Sequence, residues 1–257
     1  MFPILFKIGP LTIHTYGFFM AVGFLAGMGI VFREAGRQGI DPERVLDLCF
    51  YCLLAAVASS RVPYVIFNWP EFQKNLWEIV RIWHGGLVFY GGFVGAAAVY
   101  VYYVRRYKLP FWKTADLFAL GVPLGHFFGR LGCFSAGCCY GKVCDLPWAV
   151  SFPDRGGLAP VGIPLHPTQL YEAAGNLAIF AFLYFVMRGR RKFYGQLFVT
   201  YIVMYATLRF VIEFLRGDDR GAYFLGVLSP SQTLALVIAA VAVFLFAILR
   251  KRNAVSP

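Results

Sequence analysis

A chain of 257 residues that is 59% hydrophobic and only 14% charged, with a mean hydropathy of +0.64, has too little polar surface for a water-soluble domain. Its formal charge of +11 does not mark a nucleic-acid binder, because the lysines and arginines stand in short clusters between apolar runs rather than on one solvated face. The composition leaves a polytopic membrane protein, read as a single multipass domain over residues 1–257.

Seven apolar runs of about 20 residues, the length that crosses about 30 Å of hydrocarbon, can be traced along the chain. They occupy approximately 13–32, 45–67, 85–104, 115–134, 170–187, 194–215 and 227–249. The expected fold class is therefore an all-α integral membrane protein with seven transmembrane helices. Glycines punctuate the runs: Gly23 and Gly27 in the first and Gly91 and Gly95 in the third give the small-xxx-small spacing that lets membrane helices approach closely.

Orientation follows from the basic residues of the connections. One alternate set carries Arg33, Arg37 and Arg44, then Arg105, Arg106, Lys108 and Lys113, then Arg188, Arg190, Arg191 and Lys192, and finally Arg250, Lys251 and Arg252. The other carries Lys7, then Lys74 and Arg81, then Lys142 and Arg155, then Arg216 and Arg220. The richer set is cytoplasmic by the positive-inside rule, which puts the N-terminus outside and the C-terminus in the cytoplasm.

On that topology the arginines inside the spans share one depth. Arg61 and Arg209 fall in the outer thirds of spans two and six, and Arg130 ends span four. An arginine in a bilayer costs about 2.5–3.5 kcal/mol and persists where it meets an anionic partner. Glu172 and Glu213 lie at the same outer level. Arg209 and Glu213, four residues apart, share a helical face on which the carboxylate orients a guanidinium fork suited to phosphate. Asp116, at the inner start of span four, reads as a helix-dipole partner or a pair for a cytoplasmic base.

The outer connections add polar groups. After Arg130 the chain runs Gly132-Cys-Phe-Ser-Ala-Gly-Cys-Cys-Tyr-Gly141, and the longest outer loop ends in His166-Pro-Thr-Gln-Leu-Tyr-Glu172. Pro167 fixes the approach to the fifth span, with Thr168 as its expected N-cap. His14, Tyr16, His84, Ser229 and Gln232 belong to the same face. A transporter or channel for a small anion is the rival class, in which the arginines would line a water path. Such proteins are built from repeated halves meeting at the midplane, and this chain shows no self-similar halves.

Four motifs together resemble bacterial phosphatidylglycerol:prolipoprotein diacylglyceryl transferases. They are Gly129-Arg130-x-Gly-x-Phe-x-x-Gly, His166-Pro-Thr-Gln-Leu-Tyr-Glu172, Tyr205-x-x-x-Arg209-x-x-x-Glu213-Phe-x-Arg216, and Gly-Gly-x-x-Phe-Tyr-Gly-Gly over 85–92. The resemblance runs from Ile8-Gly9-Pro10 to Gln232. It implies an enzyme of the bacterial plasma (inner) membrane, with its active site facing the outer leaflet. The enzyme would move the sn-1,2-diacylglyceryl group of phosphatidylglycerol onto the lipobox cysteine of a prolipoprotein signal peptide, making a thioether and releasing glycerol 1-phosphate. It further implies that Arg130 binds phosphatidylglycerol, that Arg209 is a second essential arginine with Glu213 as its supporting carboxylate, and that Tyr16 and Tyr205 are phenol partners. From the reading of this chain's own residues, Arg61, Gly132 and Gly141 are added to the lipid-binding set and His166 and Tyr90 to the catalytic set. No metal or organic cofactor is implied. A non-catalytic lipid-binding relative is the alternative within this resemblance.

Two departures stand out. Tyr90 occupies the place where many members carry a histidine assigned as general base, and a phenol with a pKa of about 10 is a weak base at neutral pH. Either that histidine is not a universal base, or His166, His84 or His14 replaces it; His166 is favoured because a stiff motif presents it at the outer face. Where relatives have Asn and Glu, this chain has Cys133 and Cys138, followed by Cys139 and Cys144. Their spacing is not the paired C-x-x-C of common zinc sites, and close packing of small residues, or a disulfide involving Cys144, is the expected use.

Overall fold

The structure is a computed structural model that describes residues 3–9, 11–154, 157–218 and 228–252. Its helices are α1 (Thr15–Arg37), α2 (Pro42–Phe67), α3 (Phe89–Arg106), α4 (Phe111–Ala136), α5 (Thr168–Ala181), α6 (Gln196–Glu213) and α7 (Pro230–Arg252). Helix α5 continues through a π-helical turn at Phe182–Met187 and a 3-10 turn to Arg190. Among the described residues, α1, α2, α4, extended α5, α6 and α7 are long and apolar enough to cross a membrane. Large apolar side chains on these helices point outward, among them Leu25, Phe67, Phe185 and Phe244. A water-soluble protein does not present such apolar faces on helix after helix, so the solvent of this surface is lipid. The chain is a helical integral membrane protein.

Helix α3 falls short of the six because Tyr90, Tyr100, Tyr102 and Tyr103 dilute its apolar character and Arg105 and Arg106 close it. Small β elements, which the apolar runs do not announce, join the helices. Strands β1 (Ile4–Ile8) and β2 (Leu11–His14) form an antiparallel hairpin ahead of α1, and β3 (Val150–Ser151) pairs with β4 (Pro164–Leu165) in the loop before α5.

Two compact units divide the chain, Met1–Val31 with Ala115–Pro257, and Phe32–Thr114. In the larger unit, Ala119 and Leu120 of α4, Ile179 of α5, Leu183 and Tyr184 of its π turn, and Leu197 and Tyr201 of α6 form a buried cluster. Helix α1 meets α4 through glycine: a Cβ on Gly23 would lie 2.8 Å from the Gly125 carbonyl oxygen, and one on Gly27 2.8 Å from that of Gly121. The small-xxx-small spacing in α1 is thus a backbone-to-backbone contact. Asp116, wholly buried on α4, accepts hydrogen bonds from the Gly195 and Phe198 amides, both at 2.9 Å, at the start of α6. Gly195 itself has φ +91 and supplies no capping side chain, so a carboxylate from another helix satisfies the orphan amides there. Arg191 Nη1, 3.9 Å away, adds a basic partner.

In the smaller unit, Asp41 caps α2 by accepting from the Glu43 amide at 3.0 Å, with Pro42 in the first turn. Helices α2 and α3 pack where Gly91 and Gly92 leave no room for a side chain: a Cβ would come within 2.6 Å of the Ser59 carbonyl oxygen or 2.9 Å of that of Ala56.

Candidate functional site

The last turns of α4 carry the site's first arginine. Arg130 Nη2 stands 2.7 Å from Glu172 Oε1, whose side chain is 1% exposed. Glu172 is in the second turn of α5, and the same oxygen accepts from the Tyr205 hydroxyl of α6 at 3.4 Å. One buried carboxylate thereby holds an arginine and a phenol drawn from the helices on either side. Its second oxygen, Oε2, is buried with no hydrogen-bond partner among the described residues. The Tyr205 phenol lies within electrostatic reach of both Arg130 and Arg209.

One turn further along α6, Arg209 Nη2 pairs with Glu213 Oε2 at 2.5 Å. The i, i+4 spacing read from the sequence therefore makes a buried ion pair. Helix α7 braces it. Ser229-Pro230-Ser231-Gln232 forms a capping box in which the Gln232 amide donates to Ser229 Oγ at 3.1 Å and the Ser229 amide to Gln232 Oε1 at 3.0 Å. Ser229 Oγ donates in turn to Glu213 Oε1 at 2.8 Å, and Arg209 Nη2 donates to Ser231 Oγ at 3.2 Å. Among the described residues, Arg209 Nη1 has no hydrogen-bond partner and is buried. A preoriented guanidinium with an unused donor is a receptor for an oxyanion.

The loop after α4 is bound into this region through its backbone. Thr168 is not the N-cap of α5: that position is Pro167, with no side-chain cap. Thr168 Oγ1 instead donates to the Cys139 carbonyl at 2.8 Å, and Gln169 Nε2 to the Cys138 carbonyl at 2.8 Å. Gly141 is a crossing point, its amide donating to the His166 carbonyl at 3.0 Å; a Cβ there would lie 2.6 Å from that oxygen and 2.8 Å from the Leu215 carbonyl oxygen. Gly132 makes room for α1, since a Cβ would meet Tyr16 Cδ2 at 3.2 Å and Phe19 Cβ at 3.3 Å. Tyr16, partly exposed, is within electrostatic reach of Arg130. His166 is pinned by its backbone, and its Nδ1 lies 3.4 Å from the Tyr171 hydroxyl, which accepts from Trp148 Nε1 at 2.7 Å. Arg216 is buried and forks onto Asp218, Nε to Oδ1 at 2.8 Å and Nη2 to Oδ2 at 2.7 Å.

The four loop cysteines are free thiols, and the sulfurs of Cys133, Cys138 and Cys139 all lie within 4.8 Å of one another. Hydrogen bonds from Cys133 and Cys138, with the Arg216 and Arg130 guanidiniums behind them, hold the Cys139 thiol below the usual range. Cys138 is pushed up, chiefly by its hydrogen bonding to Cys133 and Cys139.

Arg61 and Tyr90 belong to the smaller unit. Arg61, 5% exposed, donates to the Ile79 carbonyl at 3.2 Å, to that of Glu78 at 2.7 Å and to those of Gly85 and Gly86, and its guanidinium stacks over Tyr64 and Phe72. Its donors are spent on the segment leading into α3. Tyr90, in the first turn of α3, is 55% exposed.

Sequence reasoning missed His126. It lies one turn before Arg130 on α4, its Nδ1 3.3 Å from the Tyr201 hydroxyl and its ring 5.1 Å from that of Tyr205. The signal available was the i, i+4 spacing from Arg130, which places both on one face.

A family model described as prolipoprotein diacylglyceryl transferase matches residues 3–248. Three similar proteins bear the name phosphatidylglycerol–prolipoprotein diacylglyceryl transferase. That of Finegoldia magna is 35% identical over 238 residues, 92% of this chain and 92% of the relative. That of Clostridium tetani is 33% identical over 253 residues, 98% of this chain and all of the relative. That of Vibrio cholerae is 35% identical over 255 residues, 98% of this chain and 92% of the relative.

Proposed function

The chain belongs to the prolipoprotein diacylglyceryl transferase family, and from that membership we propose that it transfers the sn-1,2-diacylglyceryl group of phosphatidylglycerol to the lipobox cysteine of a prolipoprotein. The sulfur attacks the glycerol carbon that carries the phosphate ester, a C–S bond forms as the C–O bond breaks, and glycerol 1-phosphate leaves with the bonding pair. The thiol proton is taken up as the sulfur attacks. No relative named above suggests transport of an anion.

The observation that carries this reading is the pair of guanidiniums held by carboxylates, Arg130 by Glu172 and Arg209 by Glu213, with Arg209 Nη1 left without a hydrogen-bond partner among the described residues. Charge builds on the departing phosphate in the transition state, and preoriented donors in a low-dielectric setting stabilise it without reorganising. Arg130, with Tyr16 near it and Gly132 giving the backbone its close approach, binds the lipid phosphate. Arg209, steadied by Glu213 and Ser229, meets the developing charge, and Tyr205 donates between them. Gly141 keeps the loop against the end of α6. Arg61 contributes by fixing the segment before α3, and so the position of Tyr90. His166 is the base, and Tyr90 a hydrogen-bond donor.

The same proposal makes α3 a seventh span of one multipass domain, with the N-terminus outside, the C-terminus cytoplasmic and the site in the outer leaflet of the bacterial plasma membrane. That leaflet is where a secreted precursor cysteine and a phospholipid donor meet. The test is incubation of the purified protein with phosphatidylglycerol and a lipobox peptide. A diacylglyceryl mass gain with glycerol phosphate release, both lost in Arg130→Ala, supports the reading; a folded protein that yields neither overturns it.

A further inference from the structure

Adjacent residues in extended chain point to opposite sides, so the convergence of Cys138 and Cys139 on Cys133 needs a special backbone. The structure supplies one. Cys139 has φ +64, a left-handed conformation uncommon for a residue with a side chain, and Gly137, two residues before it, has φ +73. Thr168 and Gln169, each 1% exposed, clamp the Cys139 and Cys138 carbonyls, and the Cys138 amide donates to the Cys133 carbonyl at 3.2 Å. Two wholly buried polar side chains are thus spent on holding a strained turn whose result is three sulfurs on one point.

Their spacing fits a metal. Sulfurs bonded at about 2.3 Å in a tetrahedral zinc site stand about 3.8 Å apart, within easy contraction of a cluster whose members all lie inside 4.8 Å. A soft, all-sulfur donor set selects zinc or copper(I) over magnesium or calcium. The guanidiniums of Arg130 and Arg216, within electrostatic reach of Cys139, offset the negative charge that three thiolates around a divalent ion leave over. Among the described residues no fourth ligand joins the group, and Cys144 lies outside it.

We propose that Cys133, Cys138 and Cys139 bind one Zn²⁺ through three thiolates, leaving the fourth coordination position to an exogenous ligand. Three protein ligands with an open position is the pattern of zinc sites that activate what they bind, not of closed structural sites. This inference goes beyond the transferase reading and stands without it.

The full chain, purified in detergent without chelator, is loaded with Zn²⁺ and, in a second sample, with Co²⁺. The expected result is about one metal ion per chain and an intense sulfur-to-cobalt charge-transfer absorption. Cys138→Ser removes most of both, while Cys144→Ser leaves both unchanged. A protein whose thiols all react with an alkylating agent yet which binds no metal overturns the proposal, as does a disulfide among the three in the protein as isolated, or metal content indifferent to Cys138→Ser. The cobalt spectrum of the unaltered chain decides the matter even where a variant fails to fold.

Discussion

Arg130 and Glu172 form a 2.7 Å ion pair that joins the end of α4 to the second turn of α5, with the carboxylate almost wholly buried. Breaking such a pair from one side leaves a charge without its partner, at a cost of about 3–5 kcal/mol. Arg130→Ala should lower kcat/KM by about 10²–10³-fold, as expected for loss of a donor to developing charge. Glu172→Gln keeps a hydrogen-bond acceptor for Tyr205 but releases the guanidinium from its charge partner. A smaller loss is expected there, seen mainly in kcat, together with a lower unfolding temperature in detergent.

Arg209→Lys separates charge from geometry. A lysine keeps the cation but not the planar fork, so it cannot pair with Glu213 and reach an oxyanion at once. We expect kcat to fall at least about tenfold, since charge-assisted bidentate contacts are the stronger ones. Kinetics in mixed micelles at varied phosphatidylglycerol check this, and an unchanged kcat would remove Arg209 from the transition state.

Tyr90→His tests the departure at the start of α3. A histidine on this half-exposed position brings a group with a pKa of about 6.5, which accepts a proton only when deprotonated. The pH profile of kcat/KM should therefore gain a limb that rises with pH through that region. Tyr90→Phe, which removes only the hydroxyl, should keep the profile of the unaltered chain, with no added limb. Identical profiles for both variants would place Tyr90 away from proton transfer.

Gly27→Ala inserts a methyl 2.8 Å from the Gly121 carbonyl oxygen, where only backbone can give way. Overpacking of this kind costs about 1–3 kcal/mol. Gly29→Ala, two residues on, meets nothing within 4 Å among the described residues and serves as the control. Thermal unfolding of the two variants should differ in that direction.

The helices that cross the membrane were legible because twenty apolar residues in a row have few other uses, and the Arg209–Glu213 pair because four residues make one turn. Glycine spacing likewise announced a close helix approach in α1, though not that its partner is α4. What local sequence could not show was cross-chain use. Thr168 has the chemistry of an N-cap, and only the path of the preceding loop reveals that its hydroxyl goes to Cys139. The cysteine spacing argued against a shared point, since it carries no sign of the left-handed turn that folds them together. His126 reads as a lone histidine in an apolar run until α6 brings Tyr201 and Tyr205 beside it. Arg61 reads with the other arginines of the spans, and which groups its donors meet, the carbonyls of Glu78, Ile79, Gly85 and Gly86, is set by a segment distant in sequence. Asp219 and Arg220, which follow Asp218 in the sequence, lie outside the described residues.

Asp116 sets a condition on biogenesis. Helix α4 leaves the ribosome well before the Gly195 and Phe198 amides whose hydrogen bonds its carboxylate accepts, and a carboxylate buried without such partners is costly. Helix α4 is therefore expected to settle only once α6 arrives, the pair entering the bilayer together. A chain truncated after Met187 should leave α4 loosely inserted, and Asp116→Asn in that truncated chain should restore it, which glycosylation mapping of the flanking loops would report.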